Sequence, residues 1–128
     1  MIRGVGTDIV EIVRVEGLLR RYGDAFLRRI LSVEESAACR ERVRPAEYAA
    51  GRFAAKEAVL KALGAGLTDG VPLRDIGIPT GAAGEPLVAL SGPAARRAAE
   101  RGIRCVHISI SHTAAHAVAF AVAEGDDR

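Results

Sequence analysis

The sequence predicts an α+β fold, and three observations predict it. It opens on a Gly-rich strand pattern, runs through several helical patterns in its first half, and alternates as strands through most of its second. Residues 2–10 read as the first strand, with Gly4, Gly6 and Asp8 on one face. Glycine weakens a strand unless another backbone must come close there, so a helix is expected to approach on the Asp8 side. Helical signals follow at about 13–22 and end near Gly23, with a short turn at 25–31. Ser32 with Glu35 makes a capping box that opens a helix to about residue 42. Pro45 suits the first turn of a long helix and Gly64 suits its end.

Residues 65–74 read as loop, rich in Gly, Thr and Asp. Two short strands at 76–80 and 86–90 are joined by a hairpin-length loop containing Gly81 and Gly84. Ser91 or Gly92, with Pro93, starts a helix that ends near Gly102. Residues 104–112 alternate, with Val106, Ile108 and Ile110 on one face and His107, Ser109 and Ser111 on the other. A turn at 113–115 returns the chain as a strand over 116–123, and the tail 124–128 is expected to fray. There is no internal repeat and no linker, so residues 1–128 read as one domain.

Composition narrows the function classes. A hydrophobic content of 49% with 27% charged residues is that of an ordinary globular protein. The two cysteines, Cys39 and Cys105, have no spacing that suggests zinc or a redox pair, and both suit a reducing cytoplasm. Arg3, Asp8 and Glu11 make residues 1–13 unlike a signal peptide, and no apolar run approaches the roughly 20 residues of a membrane span. A cytoplasmic protein with no membrane partner is expected. Five arginines between Arg14 and Arg29 face only Glu16 and Asp24. Arg14, Arg21 and Arg28 recur every seven residues, a stripe that Gly23 bends. Such a face is either simply solvated or steers an acidic partner onto the surface. Lysine is nearly absent and aromatics make up 4%, which argues against nucleic acid.

The segment 51–64 is one helix, almost apolar all round, that still carries Lys56, Glu57 and Lys61. Glu57 and Lys61 lie about 40° apart around the helix axis. On its own the pair is most simply a helix-stabilising ion pair worth about 0.3–0.5 kcal/mol. The sharper alternative is that Glu57 holds a metal ion and Lys61 a phosphate. Asp8 supplies a second carboxylate from a separate element, and two such carboxylates with phosphate oxygens and waters are what magnesium favours. His112 closes a strand beside a turn, where a lone histidine is usually just hydrogen-bonded. His112 and His116 bracket that turn, but no third ligand of zinc type is evident. Serines 109 and 111 lack a nucleophile-elbow setting, and no Walker-type phosphate loop occurs. A magnesium phosphotransferase or nucleotide hydrolase, and a non-catalytic module with a structural Glu57–Lys61 pair, both stay open on the residues alone.

Taken together, the segments resemble the holo-acyl-carrier-protein synthases, the small branch of the 4′-phosphopantetheinyl transferases. The resemblance rests on Gly4-Val-Gly6-Thr-Asp8-Ile-Val-Glu11 with Arg14 after it, on Gly51-Arg52-Phe53-Ala-Ala-Lys56-Glu57-Ala-Val-Leu-Lys61-Ala-Leu-Gly64, on Gly84-Glu85-Pro86, and on Ile108-Ser109-Ile110-Ser111-His112-Thr113. It covers nearly the whole chain in order. It implies an antiparallel sheet packed against a long helix, and transfer of the phosphopantetheine arm of coenzyme A to a serine of an apo acyl carrier protein. The other product is adenosine 3′,5′-bisphosphate. By the same resemblance Asp8 and Glu57 bind magnesium, Lys61 neutralises phosphate charge, and Arg52, Gly64, Ser111, His112 and Thr113 contact the nucleotide. Arg14, Arg21, Phe26 and Arg29 dock the acidic carrier, and the small members are homotrimers with interfacial sites. Whether Glu57 or a water activates the serine is left open, as is the pathway whose carrier is served. One departure stands out: Tyr22-Gly23-Asp24 puts an acid and a helix break inside a docking region that is basic in the family.

Overall fold

The structure is a computed structural model that describes residues 1–65 and 70–126. Strand β1 (Ile2–Glu11) leads directly into α1 (Ile12–Tyr22), α2 (Asp24–Ile30) and α3 (Val33–Arg40), followed by the long α4 (Pro45–Ala62). A short 3₁₀ turn (Leu73–Asp75) precedes β2 (Ile76–Gly77) and β3 (Ala89–Leu90), then α5 (Gly92–Glu100), β4 (Ile103–His112) and β5 (His116–Gly125). The main sheet is antiparallel in the order β1-β5-β4, and α4 lies across one face of it. The fold is the predicted α+β arrangement of an antiparallel sheet against a long helix.

Small side chains set how closely these layers meet. Ala117, Ala119, Ala121 and Ala123 of the central strand and Ala50, Ala54, Ala58 and Ala62 of α4 are all buried where the helix packs on the sheet. Gly4 and Gly6 take this to its limit. A Cβ at Gly4 would lie 2.0 Å from the Ala62 carbonyl oxygen, and one at Gly6 would lie 2.0 Å from that of Ala58. The glycines are therefore what lets α4 rest on β1 beside Asp8, as the strand pattern predicts.

Among the described residues, the one deeply buried ion pair ties the helical half together. Lys56, wholly buried on α4, donates to Glu35 Oε1 at 2.6 Å and to the Leu73 carbonyl at 3.2 Å. The capping box at Ser32 is fully formed, with Glu35 N donating to Ser32 Oγ and Ser32 N donating to Glu35 Oε1. Glu35 Oε2 also accepts from Ile78 N at 2.8 Å, so one carboxylate joins α3, α4 and the β2 hairpin. Burial pulls its pKa up, but Lys56 and the two backbone N–H groups outweigh that and hold it below the usual glutamate range.

Several local expectations are corrected. Residues 24–30 form a helix, not a turn: Gly23 at φ 57° breaks the path, and Phe26 and Leu27 donate back to its carbonyl as Leu27 and Ile30 enter the core. The 76–80 and 86–90 strands shrink to two-residue ladders plus a Thr80–Pro86 bridge, because Pro79 and Pro86 have no N–H to give. Glu124 and Gly125 do not fray. They complete β5, with Gly125 N bonded to the Met1 carbonyl and Glu124 opposite both Ile2 and Cys105. Within the expected 65–74 loop, residues 66–69 lie outside the described residues, as do 127–128 of the expected tail.

Candidate active site

Asp8 sits on the α4 side of β1, two residues beyond Gly6 and opposite Ala119. Glu57 comes from α4 and faces the same cavity of about 500 Å³, whose walls include Arg14, Leu18, Phe26, Phe53 and His116. Burial, and after it the negative charge of Asp8, push the Glu57 carboxyl above its usual range, with Lys61 pulling the other way. Two carboxylates from separate elements on one cavity are an oxygen-only donor pair suited to a hard cation.

Lys61 does not make the simple helix pair with Glu57. Its ammonium reaches across to β1, donating to the Thr7 carbonyl at 2.8 Å and to Asp8 Oδ1 at 3.4 Å, and its side chain stays half exposed. The acid, the second acid and the base singled out in the sequence therefore converge where α4 crosses β1.

Arg52 and His112 meet elsewhere. They line a second cavity of about 430 Å³ with Arg42, Arg44, Glu47, Tyr48 and Gly51. The Arg42 and Arg52 guanidiniums lie over the Tyr48 ring at 4.6 and 4.7 Å, and Arg52 Nη2 donates to Thr80 Oγ1 at 3.1 Å. Arg52 Nε is buried with no partner among the described residues, and His112 Nε2 lies 3.5 Å from Glu47 Oε1. Three guanidiniums and an imidazole around one hollow make an anion cradle.

Gly64, Ser111 and Thr113 do not join that cradle within one chain. Gly64, at φ 71°, closes α4: its N–H donates to Lys61 O, its carbonyl accepts from Arg97, and a Cβ would lie 2.6 Å from Arg101 Nη1. Ser111 is on the exposed face of β4 opposite Val118. Thr113 shapes the β4–β5 turn, its Oγ1 accepting from Ala115 N and His116 N.

Of the expected docking residues, Arg14 and Phe26 line the Asp8–Glu57 cavity. Phe26 and Arg29 line an adjoining, mostly apolar hollow of about 620 Å³ that also reaches Phe53 and Glu57. Arg21 lines neither and packs over the Tyr22 ring at 5.3 Å. The acid flagged at Asp24 is taken up by Arg40 at 3.3 Å. Sequence reasoning missed Arg42, Arg44, Tyr48 and Phe53. The Arg-x-Arg just before the long helix, and Tyr48 one turn ahead of Arg52, were the available signals.

The model of the 4′-phosphopantetheinyl transferase superfamily matches residues 4–121. The holo-[acyl-carrier-protein] synthase of Alkalilimnicola ehrlichii is 47% identical over 128 residues, covering 99% of this chain and 100% of that protein. The crystal structure of that enzyme from Neisseria meningitidis superposes with a TM-score of 0.88 at 43% identity, covering 97% of this chain and 99% of the other. The Helicobacter pylori enzyme, solved in complex with coenzyme A, gives a TM-score of 0.82 at 35% identity, covering 94% and 99%. With its carboxylate pair, lysine and arginine cradle in place, the chain belongs to the 4′-phosphopantetheinyl transferase superfamily.

Proposed function

We propose that Asp8, Glu57 and Lys61 form the reacting centre of a phosphopantetheinyl transfer, and that Arg52 and His112 hold the nucleotide end of the donor. The reaction moves the 4′-phosphopantetheine group from coenzyme A to a serine of an apo acyl carrier protein. The serine oxygen forms a bond to the phosphorus that carries the pantetheine, and adenosine 3′,5′-bisphosphate leaves. The observation that carries the assignment is the convergence of Asp8 and Glu57 on one cavity with Lys61 at the Asp8 carboxylate.

Magnesium fits that pair by its all-oxygen donors and by the raised Glu57 carboxyl beside the Asp8 charge, and when bound it would supply charge neutralisation to the pyrophosphate oxygens. Lys61 lies close enough to place its ammonium against the phosphate that departs, where negative charge accumulates as the bond breaks. The arginine cradle around Tyr48 gives a phosphate and an aromatic base the partners they need, and the unpartnered Arg52 Nε is a donor waiting for an acceptor.

Arg52 and Glu57 are five positions apart on α4 and so point about 140° away from each other. The two cavities open on different sides of the helix, which supports a site completed by a second copy of the chain. The apolar outer sheet face, with Val5, Ile9, Val118 and Phe120 exposed, supports association as a homotrimer. Arg14, Phe26 and Arg29 beside the carboxylates suit the acidic helix of a carrier protein, and a cytoplasmic location follows from that partner.

The test is mass spectrometry of apo carrier proteins incubated with coenzyme A, magnesium and the enzyme. Gain of one phosphopantetheine on the carrier serine is expected. Turnover of nucleotide with every carrier left unmodified would instead make the chain a different phosphotransferase.

A further inference from the structure

Far from the reacting centre, the outer face of the sheet gathers three metal-binding side chains. Cys105 and His107 project from the same face of β4, and Glu124 stands directly opposite Cys105 on β5. A register shift between Ile103 and Cys105 sets Cys105 and Glu124 abreast. The donor atoms already lie close: Cys105 Sγ to His107 Nε2 is 3.5 Å, Cys105 Sγ to Glu124 Oε1 is 3.6 Å, and His107 Nε2 to Glu124 Oε1 is 2.9 Å. Glu124 is five residues along β5 from Ala119, the partner of Asp8, which separates the two places by about 17 Å.

We infer that Cys105, His107 and Glu124 form a binding site for a zinc-type divalent ion, distinct from the Asp8–Glu57 pair. A tetrahedral ion with sulfur at about 2.3 Å and nitrogen and oxygen at about 2.1 Å sets donor–donor edges of about 3.4–3.6 Å. Two of the three edges here already match, and the third opens by about half an ångström once Glu124, an exposed side chain, swings slightly. Thiolate and carboxylate together balance a dication, and the thiol proton is released to solvent on binding. Arg104, the neighbouring cation along β4, is turned to Asp126 at 3.0 Å, which engages its guanidinium, and its charge favours the Cys105 thiolate that a metal needs. The sulfur and imidazole donors select a borderline-soft ion over magnesium, while the all-oxygen pair at Asp8 and Glu57 selects the reverse. Both ions can therefore be held at once. Three protein ligands leave a fourth position for water, and the ion would bridge β4 to the central strand at the end of the sheet remote from His112.

Cobalt(II) serves as the spectroscopic probe on the full chain, stripped of metal, kept reduced and supplied with excess magnesium. One ion per chain is expected, with a thiolate-to-cobalt charge-transfer band and the intense visible absorption of four-coordinate geometry. Cys105→Ser should abolish the band, and Glu124→Gln and His107→Ala should each weaken binding more than about tenfold, as even outer partners of a metal cost that much. Asp8→Asn should leave the signal unchanged. No charge-transfer band in the wild type, or the same band in Cys105→Ser, would overturn the site, the latter by assigning it to the buried Cys39.

Discussion

Replacing Gly6 by alanine should damage catalysis while leaving the identity of every reacting group unchanged. The added Cβ would lie 2.0 Å from the Ala58 carbonyl oxygen, 2.8 Å from Lys61 Cβ and 2.9 Å from Ala62 N. Real Cβ atoms essentially never approach within 3.0 Å, and the first obstacle is helix backbone that cannot rotate away. Helix α4 must therefore retreat from β1 by at least about 1 Å, carrying Glu57 and Lys61 away from Asp8. A misplacement of that size in a positioned site costs on the order of 100-fold in rate. The packing conflict itself costs about 1–3 kcal/mol of stability. The assay is single-turnover transfer to an apo carrier beside urea unfolding of the same preparation. Gly17→Ala is the control: its Cβ meets nothing within 4 Å on exposed α1, and it should stabilise by up to about 1 kcal/mol and keep full activity. If Gly6→Ala transfers within about threefold of the wild-type rate, the helix–strand approach does not set the site.

Other changes address the parts separately. Glu35→Ala leaves a wholly buried ammonium unpaired and should cost about 3–5 kcal/mol by urea unfolding, part of which Lys56→Met in the same chain should restore. Because the folded pKa of Glu35 is depressed, its contribution is complete above the ordinary glutamate value of about 4.3 and is lost as pH falls through the folded value; the Glu35→Ala variant should show a shallower acid decline over that window. Asp8→Asn and Glu57→Gln should each abolish transfer and weaken magnesium binding in calorimetry while circular dichroism stays native; near wild-type rates in both would refute the two-carboxylate assignment. Lys61→Met should lower kcat sharply with a smaller change in the apparent KM for coenzyme A, whereas loss of affinity alone would assign it to ground-state binding. Arg14→Glu should raise the KM for the carrier roughly tenfold, about 1.4 kcal/mol, and make it less salt-sensitive, while Arg21→Glu, which lines neither cavity, should do much less. Equal effects at the two positions would place carrier docking along α1 as a whole.

How much of this was legible in the sequence follows from how far each signal reaches. Period and punctuation are local, so β1, α1, the Ser32–Glu35 capping box, Pro45 at the start of α4 and the alternation of β4 could be read directly. Helix α2 escaped because seven residues after a glycine carry too little periodicity to separate from a turn. The length of β5 escaped because the pairing that holds Glu124 comes from Ile2 and Cys105, far away in sequence. For the same reason Lys56 gave no sign of its partner, since Glu35 already had a local role as a capping residue. The approach of a helix to Asp8 was legible, but the residues alone did not show that Glu57 would share its cavity. Gly4 and Gly6 advertised a close approach on the face that carries Asp8, and only an apolar helix of small residues could fill it.

That same helix explains why the site divides. An α4 thin enough to lie on glycine must be built of alanine on its sheet side, which leaves its functional side chains to project at the flanks. Phe53, Glu57 and Lys61 follow one flank at intervals of four, and Tyr48 and Arg52 follow another by the same spacing. Arg52 and Glu57 leave the helix in directions about 140° apart, so within one chain they line separate hollows. Close packing on β1 thus sets the carboxylates on one flank and leaves the arginine cradle on another. On the proposed function, a second copy of the chain would present to such a substrate, charged at its nucleotide end and with a pyrophosphate in the middle, what the first holds on its other flank. A heterodimeric test follows: mixing inactive Asp8→Asn with inactive Arg52→Ala protein should restore part of the transfer, because some interfaces then pair an intact carboxylate site with an intact cradle. Failure of the mixture to regain any activity after subunit exchange would mean that each chain completes its own site.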